Sequence, residues 1–215
     1  MRFLCVSDVH GRADALAKVL LAADRRGGDY RLLAAGDHCF PGPEPLAALR
    51  LLTGRGALMT QGLTDRAVAS LDLARVSPGS DHERARLAQV ASVRAELGEV
   101  AVRRLGALPL VERLSLPTGD ELALGHGCPR DPSEPLSHDM SDEELALGLG
   151  DDTCDLLVCG GSHVPFDRFV AGVRIINVGS VGEPPTPGFA HATWLTVTGA
   201  DVVVEQLDVP VGFPS

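Results

Sequence analysis

Aromatic residues are scarce: the 215-residue chain has one Trp, one Tyr and six Phe. That leaves no supply for the base-stacking platforms that single-stranded nucleic acid requires, and it hands the core to Leu, Val and Ala. Positive charge is short as well, with 19 Lys and Arg against 29 Asp and Glu, a net charge of −10. A chain of that sign repels polyanions, so long nucleic acid is an unlikely partner. No apolar run reaches the roughly 18–20 residues that span a bilayer, so no membrane association is expected. The first residues enter a strand pattern directly, and no signal peptide is read there. The five cysteines are odd in number and none is spaced C-x-x-C. They therefore read as reduced thiols buried as small hydrophobes, which implies a cytoplasmic setting. Internal repeats and low-complexity segments are also lacking.

What the chain does have is a hydrophobic fraction of 45%, enough for a full core without staples. The length suits a single domain over 1–215. Arg2–Ser7 is a short apolar run, read as a buried strand. Ala13–Ala23 carries Leu16, Val19, Leu20 and Ala23 at helical spacing and ends at Gly27-Gly28. Tyr30–Ala35 predicts a second strand, Pro45–Leu52 a short helix and Gly56–Thr60 a third strand. That alternation predicts parallel strands with helices on their faces. Asp81–Leu105 is a long amphipathic stretch carrying Leu87, Val90, Val93, Leu97, Val100 and Leu105, with Gly98 as a candidate interruption. Leu110–Leu116 and Glu121–Leu124 predict a strand pair about the Pro117-Thr118-Gly119-Asp120 turn. Cys128–Pro135 reads as a loop and Asp142–Leu149 as an acidic helix. Asp155–Cys159, Phe166–Ile176, His191–Val197 and Val202–Leu207 are read as strands.

Six motifs fall where strands should meet loops. They are Ser7-Asp8-Val9-His10-Gly11, Gly36-Asp37, Gly62-Leu63-Thr64-Asp65, Gly125-His126-Gly127, Gly160-Gly161-Ser162-His163 and Asn177-Val178-Gly179-Ser180-Val181-Gly182. In open α/β sheets ligands bind beyond the carboxyl ends of strands. Asp8, His10, Asp37, His126 and His163 are thus candidate metal ligands gathered from distant parts of the chain. Mixed carboxylate and imidazole donors suit Mn, Fe or Zn ahead of Ca. Two such ions about 3.5–4 Å apart would clamp a phosphate and ionise a water.

The motifs resemble those of the calcineurin-like metallophosphoesterase superfamily, most of all its small bacterial phosphodiesterase-type branch. The pattern there reads D-x-H, G-D, G-N-H/C-D, H-G, G-H-x-H and then N-P-G-S-V-G. The resemblance covers nearly the whole chain in order and spacing. It implies an α/β fold, a four-layer α/β/β/α sandwich of two mixed β-sheets flanked by helices. It further implies a metal-dependent hydrolase that attacks a small phosphate ester with a metal-activated water. Carried over position by position, the first metal would take Asp8, His10, Asp37 and His163. Asp37 would bridge to a second metal held also by His126, an Asn and a His. Leu63 stands at that Asn and Gly161 at that His, while Thr64 replaces the residue that assists the leaving group. Leu63 is expected to press an apolar side chain against the site. The resemblance thus implies a divalent transition metal, Mn first and Fe, Zn or Ni after it, with one ion tightly bound and a second weak or absent.

Asp37, His126 and Arg12 are the candidate catalytic residues, Arg12 through reach to a phosphate oxygen. His38, Cys39 and Cys128 lie near enough in sequence to replace a lost ligand, though packing is the plainer role. Asp65 is read as an orienting residue or as the cap of the helix that follows. Asn177, Gly179, Ser180 and Gly182 read as tight turning beside the site, and His82, His138 and His191 as ordinary surface or strand histidines. Two functions compete: a phosphoesterase acting on a small phosphorylated molecule, and a degenerate member that binds a phosphoryl ligand without turnover. A homo-oligomer remains open.

Overall fold

The computed structural model describes residues 1–199 and 201–212. β1 (Arg2–Val6) is buried from Phe3 onward, and its alternation feeds two different cores. Leu4 and Val6 pack with Leu16, Val19 and Leu20 of α1 (Ala13–Arg26) and with Leu49 and Leu52 of α2 (Pro45–Gly54). Phe3 and Cys5 face the other way. They meet Leu122 and Leu124 of β5 (Glu121–Gly125), Val158 of β6 (Leu156–Cys159) and Ile176 of β8 (Val173–Asn177). Beyond that second sheet, Ala123, Leu157 and Ile175 pack under Leu145 and Leu149 of α5 (Asp142–Leu149). The layers are therefore helix, sheet, sheet, helix. Each fully buried Leu contributes roughly 1.5–3 kcal/mol, so a charge at Leu16 or Leu157 would undo one layer contact.

One sheet has the order β10 (Asp201–Pro210), β9 (Phe189–Thr198), β1, β2 (Arg31–Ala35), β3 (Leu58–Thr60), and the other β4 (Val111–Ser115), β5, β6, β8, β7 (Phe166–Val170). β1, β2 and β3 run parallel, as do β5, β6 and β8. β4, β7, β9 and β10 pair antiparallel, which makes both sheets mixed. Every motif named above follows the carboxyl end of one of the six parallel strands.

Three local features have physical causes, and the first departs from the sequence expectation. Phe166–Ile176 is not one strand but the hairpin β7–β8, because Ala171 and Gly172 take positive φ angles of 51° and 88°. The 81–106 helix, α4 (Asp81–Gly106), is broken at Gly98, where φ is 73°. That break resets the helical phase, so Val100 is 74% exposed although it continues the apolar spacing. After β3 the chain enters α3 (Leu63–Ser70) at once, with Asp65 accepting from the Gly62 N–H at the helix start. Among the described residues, no helix is long and apolar enough to cross a membrane.

Candidate functional site

Backbone geometry marks the site before any side chain is considered. Among the described residues, five non-glycine residues have positive φ: Asp8, His10, Asp37, His163 and Ala171. Apart from the hairpin residue Ala171, these are the expected ligands of a first metal. Left-handed backbone costs of order 1–3 kcal/mol at a non-glycine residue and survives where surrounding contacts enforce it. Here they do. Asp8 N–H donates to Gly36 O (3.1 Å), and His10 N–H to Asp37 O (2.9 Å). Gly182 N–H and Ser180 Oγ both donate to Asp8 O, each at 2.9 Å. A Cβ on Gly62 would collide with the Asp37 carboxylate, and one on Gly160 with Ser7 and Asp8. Glycine at those two positions is what lets four chain segments converge.

The side chains meet at one atom. Asp8 Oδ1 lies 3.2 Å from His163 Nε2, 3.7 Å from His10 Nε2 and 4.0 Å from His126 Nε2. It is buried and has no hydrogen-bond partner in bonding geometry, while Oδ2 accepts from Gly161 N–H at 2.9 Å. A buried carboxylate oxygen left unpaired and ringed by imidazole nitrogens fits a cation. Two sets of potential ligand atoms, each within 4.8 Å of one another, share this residue: Asp8, His10 and His163 on one side, Asp8, Asp37 and His126 on the other. The family resemblance gives the bridging place to Asp37. In the structure Asp8 is common to both sets, and Asp37 Oδ2 faces His126 Nε2 at 3.5 Å.

The imidazoles are aimed by their outer nitrogens. His10 Nδ1 is 2.5 Å from Phe40 O and His126 Nδ1 is 2.8 Å from Ala35 O. Each Nε2 therefore faces inward as a free lone pair when the ring is neutral. Asn177 holds the His163 loop, its Nδ2 donating to Gly160 O (2.7 Å) and Ser162 Oγ (3.0 Å). Asp65, fully buried, accepts from His38 N–H at 3.0 Å and so fixes the backbone beside Asp37.

Charge is finely divided. Burial pushes the Asp8 carboxyl up, but the His163 contact and the charges of His126, His163 and His10 outweigh it and hold Asp8 below its ordinary range. Asp37 is pushed up, by burial first and by the Asp65 and Asp8 charges against the pull of His126. Burial pulls His126 down, yet the Asp37 and Asp8 carboxylates more than reverse it, so its pKa rises. His163 is raised chiefly by its contact with Asp8.

The other expected residues divide. Arg12 lies between His10 and α1 and lines a cleft with Gly182 and Glu183, at the rim of the site rather than within it. Leu63 is 54% exposed and lines a groove between α3 and α4, so it does not press into the cluster as expected. Thr64 N–H donates to Asp37 Oδ1 at 2.8 Å, and its hydroxyl is 3.4 Å from Phe40 O. His38 turns its Nε2 to Thr60 O (2.9 Å), away from a ligand role. Cys39 and Cys128 are buried with their sulfurs on Pro45 O and Asp131 O. All five thiols are free. His191 is buried in β9 against Asp208 at 3.5 Å.

Sequence reasoning missed Glu183. Its Oε2 is 3.8 Å from His10 Nε2 and 4.0 Å from His163 Nδ1. The signal was available, because the 177–182 loop was expected beside the site and Glu183 is its next residue, held by Ser180 Oγ at 2.8 Å.

The sequence matches the model of the calcineurin-like phosphoesterase superfamily domain over residues 1–199. The chain belongs to this superfamily. Calcineurin-like phosphoesterases are divalent-metal dependent, in keeping with the two ligand sets around Asp8. A hypothetical protein from Pyrococcus horikoshii has the same fold, with a TM-score of 0.82 at 17% identity over 97% of this chain and 88% of that one. A metallophosphoesterase from Sphaerobacter thermophilus gives 0.75 at 24% identity, over 97% and 89% of the two chains. Yfce, a phosphoesterase from E. coli, gives 0.53 at 18% identity, over 97% and 100%. No curated protein sequence matches the chain.

Proposed function

We propose that this phosphoesterase hydrolyses a small phosphate ester at the Asp8 cluster, with Asp8, His10, Asp37, His126 and His163 as the metal ligands. The observation that carries the reading is the buried, unpaired Asp8 Oδ1 within 4.0 Å of three imidazole nitrogens. A bound divalent transition metal, Mn before Fe, Zn or Ni, would polarise a phosphate oxygen and acidify a water. The chain's own groups do the rest. Phe40 O and Ala35 O keep Nε2 of His10 and His126 facing the cluster. The Thr64 N–H on Asp37 Oδ1 leaves Oδ2 to face His126. Arg12, on the same rim as Glu183, supplies a cation for a phosphate oxygen.

The two halves of the cluster are unequal in this proposal. The side holding His10 and His163 keeps every residue that the family resemblance assigns to the first metal, with Asp37 reaching it from the other set, and takes one ion tightly. The side holding Asp37 and His126 lacks the donors that Leu63 and Gly161 replace, so it takes a second ion weakly or not at all. Thr64 offers no imidazole to protonate a departing oxygen. Turnover should therefore favour esters with acidic leaving groups.

A second reading, a phosphoryl-binding module without turnover, draws on the same three replacements. The test is release of 4-nitrophenol from 4-nitrophenyl phosphate and its bis-ester by Mn-loaded protein, against the Asp8→Asn variant. Metal-dependent release lost in the variant supports the hydrolase. Absence of release with tight phosphate binding supports the module.

A further inference from the structure

Two residues serve the metal cluster and something else. Phe40 offers its carbonyl to His10, and Thr64 offers its N–H to Asp37. Both also line the inner end of a groove of about 340 Å³, a size typical of ligand clefts, which runs outward between α3 and α4. Its walls are Leu63, Val76, Leu87 and Val90. Arg86 stacks over the Phe40 ring, 5.1 Å from its centroid, with its charge at the rim. Leu63 and Val76 are 54% and 37% exposed, an apolar surface left open next to polar chemistry. The wider depression beside α5, about 720 Å³, is by contrast lined by charges such as Arg113 and Asp152 that already pair with each other.

We infer that this groove seats the apolar leaving group of the substrate, an alkyl- or aryl-bearing phosphate ester, with the phosphate held at the Asp8 cluster. On this view Leu63 is a wall residue of the groove rather than only a lost ligand. The continuity through Phe40 and Thr64 commits the groove to a group attached to the phosphate. Past Thr64 its polar lining is Glu83, which already accepts from the Gly79 N–H, and Arg86, which stacks on Phe40, so it disfavours sugars and other hydroxyl-rich leaving groups, whose polar atoms would lose water unpaired.

The inference rests on the hydrolase reading for its substrate, and the experiment separates the two. The Mn-loaded protein is assayed with 4-methyl-, 4-ethyl- and 4-butylphenyl phosphate, whose phenols differ little in acidity. It is also titrated calorimetrically with the matching 4-alkylbenzylphosphonates, which cannot turn over. The inference expects kcat/KM and phosphonate affinity to rise together by about tenfold or more from methyl to butyl, given about fourfold per buried methylene. Leu87→Ser and, at the more exposed wall, Val76→Ser should each flatten that dependence. Phosphonate affinity that rises with chain length without turnover upholds the groove and removes the hydrolase reading. A flat series in both assays, or full chain-length dependence in both variants, overturns the inference.

Discussion

The two sides of the Asp8 cluster were built by the same fold and equipped differently. On one side, His10, His163 and Asp8 lie within ligand reach, each on left-handed backbone that neighbouring loops enforce. On the other, Asp37 and His126 are equally well aimed, by the Thr64 N–H and Ala35 O, but the places beside them hold Leu63 and Gly161. A Cβ at Gly161 would meet Pro135 Cβ at 3.1 Å, His126 O at 3.3 Å and His126 Nε2 at 3.6 Å, so this position borders the Asp37 and His126 side. The scaffolding of the cluster is thus separable from its ligand count. Strained backbone and outer hydrogen bonds serve both sides, and the proposed inequality lies in the donors that Leu63 and Gly161 replace.

The largest effect expected is at the shared residue. Asp8→Ala should abolish metal binding and lower kcat/KM by about 10³-fold or more, read by metal content and steady-state kinetics. If the sides are unequal, His163→Ala should approach that loss, whereas His126→Ala should retain one tightly bound ion and lose less. Equal losses at His163 and His126 would break the comparison.

Next in size is the support of the fuller side. Asn177→Ala frees the His163 loop from two bonds. It should weaken metal affinity by about 10–100-fold and lower stability by roughly 1–3 kcal/mol through unpaired buried groups, seen in a metal titration and in denaturant unfolding.

A smaller effect concerns protons. His126 and His163 carry pKa values raised above the usual 6.5, by the Asp37 and Asp8 charges against burial in one case and by the Asp8 contact in the other. Protons on those rings must leave when a cation binds, so metal affinity should rise as pH climbs through their raised values, above the usual 6.5, and binding should release protons. Calorimetry in two buffers of different ionisation enthalpy reads that release. In the metal-free protein the sign is opposite. Raised imidazoles contribute stability that is complete below the unfolded value near 6.5 and is lost as pH climbs through the folded values. The metal-free Tm should therefore fall over a range in which the metal-loaded Tm does not. The smallest effect should be at Glu183→Gln, which leaves the ligand set intact and removes a carboxylate 3.8 Å from His10. A severalfold loss of metal affinity is expected there by the same titration.

Much of this was legible in the chain because motif and topology agree. Asp8, Asp37, His126 and His163 each follow a parallel strand, and parallel strands bring their carboxyl ends to one edge. The hairpin within Phe166–Ile176 was hidden because Ala171-Gly172 is a weaker turn signal than Asn-Gly. Val100 was misread because helical spacing holds only until Gly98 breaks the helix. The central place of Asp8, the position of Glu183 and the outward turn of Leu63 depend on how loops from distant strands lean on one another. One-dimensional spacing carries no such information.

Metal stoichiometry reads the proposed inequality of the two sides most directly. Protein purified without chelator, incubated with excess Mn²⁺ and freed of unbound ion should hold about one metal per chain by elemental analysis, the count expected where one set of donors is complete. Two firmly held ions per chain, or none, would contradict it.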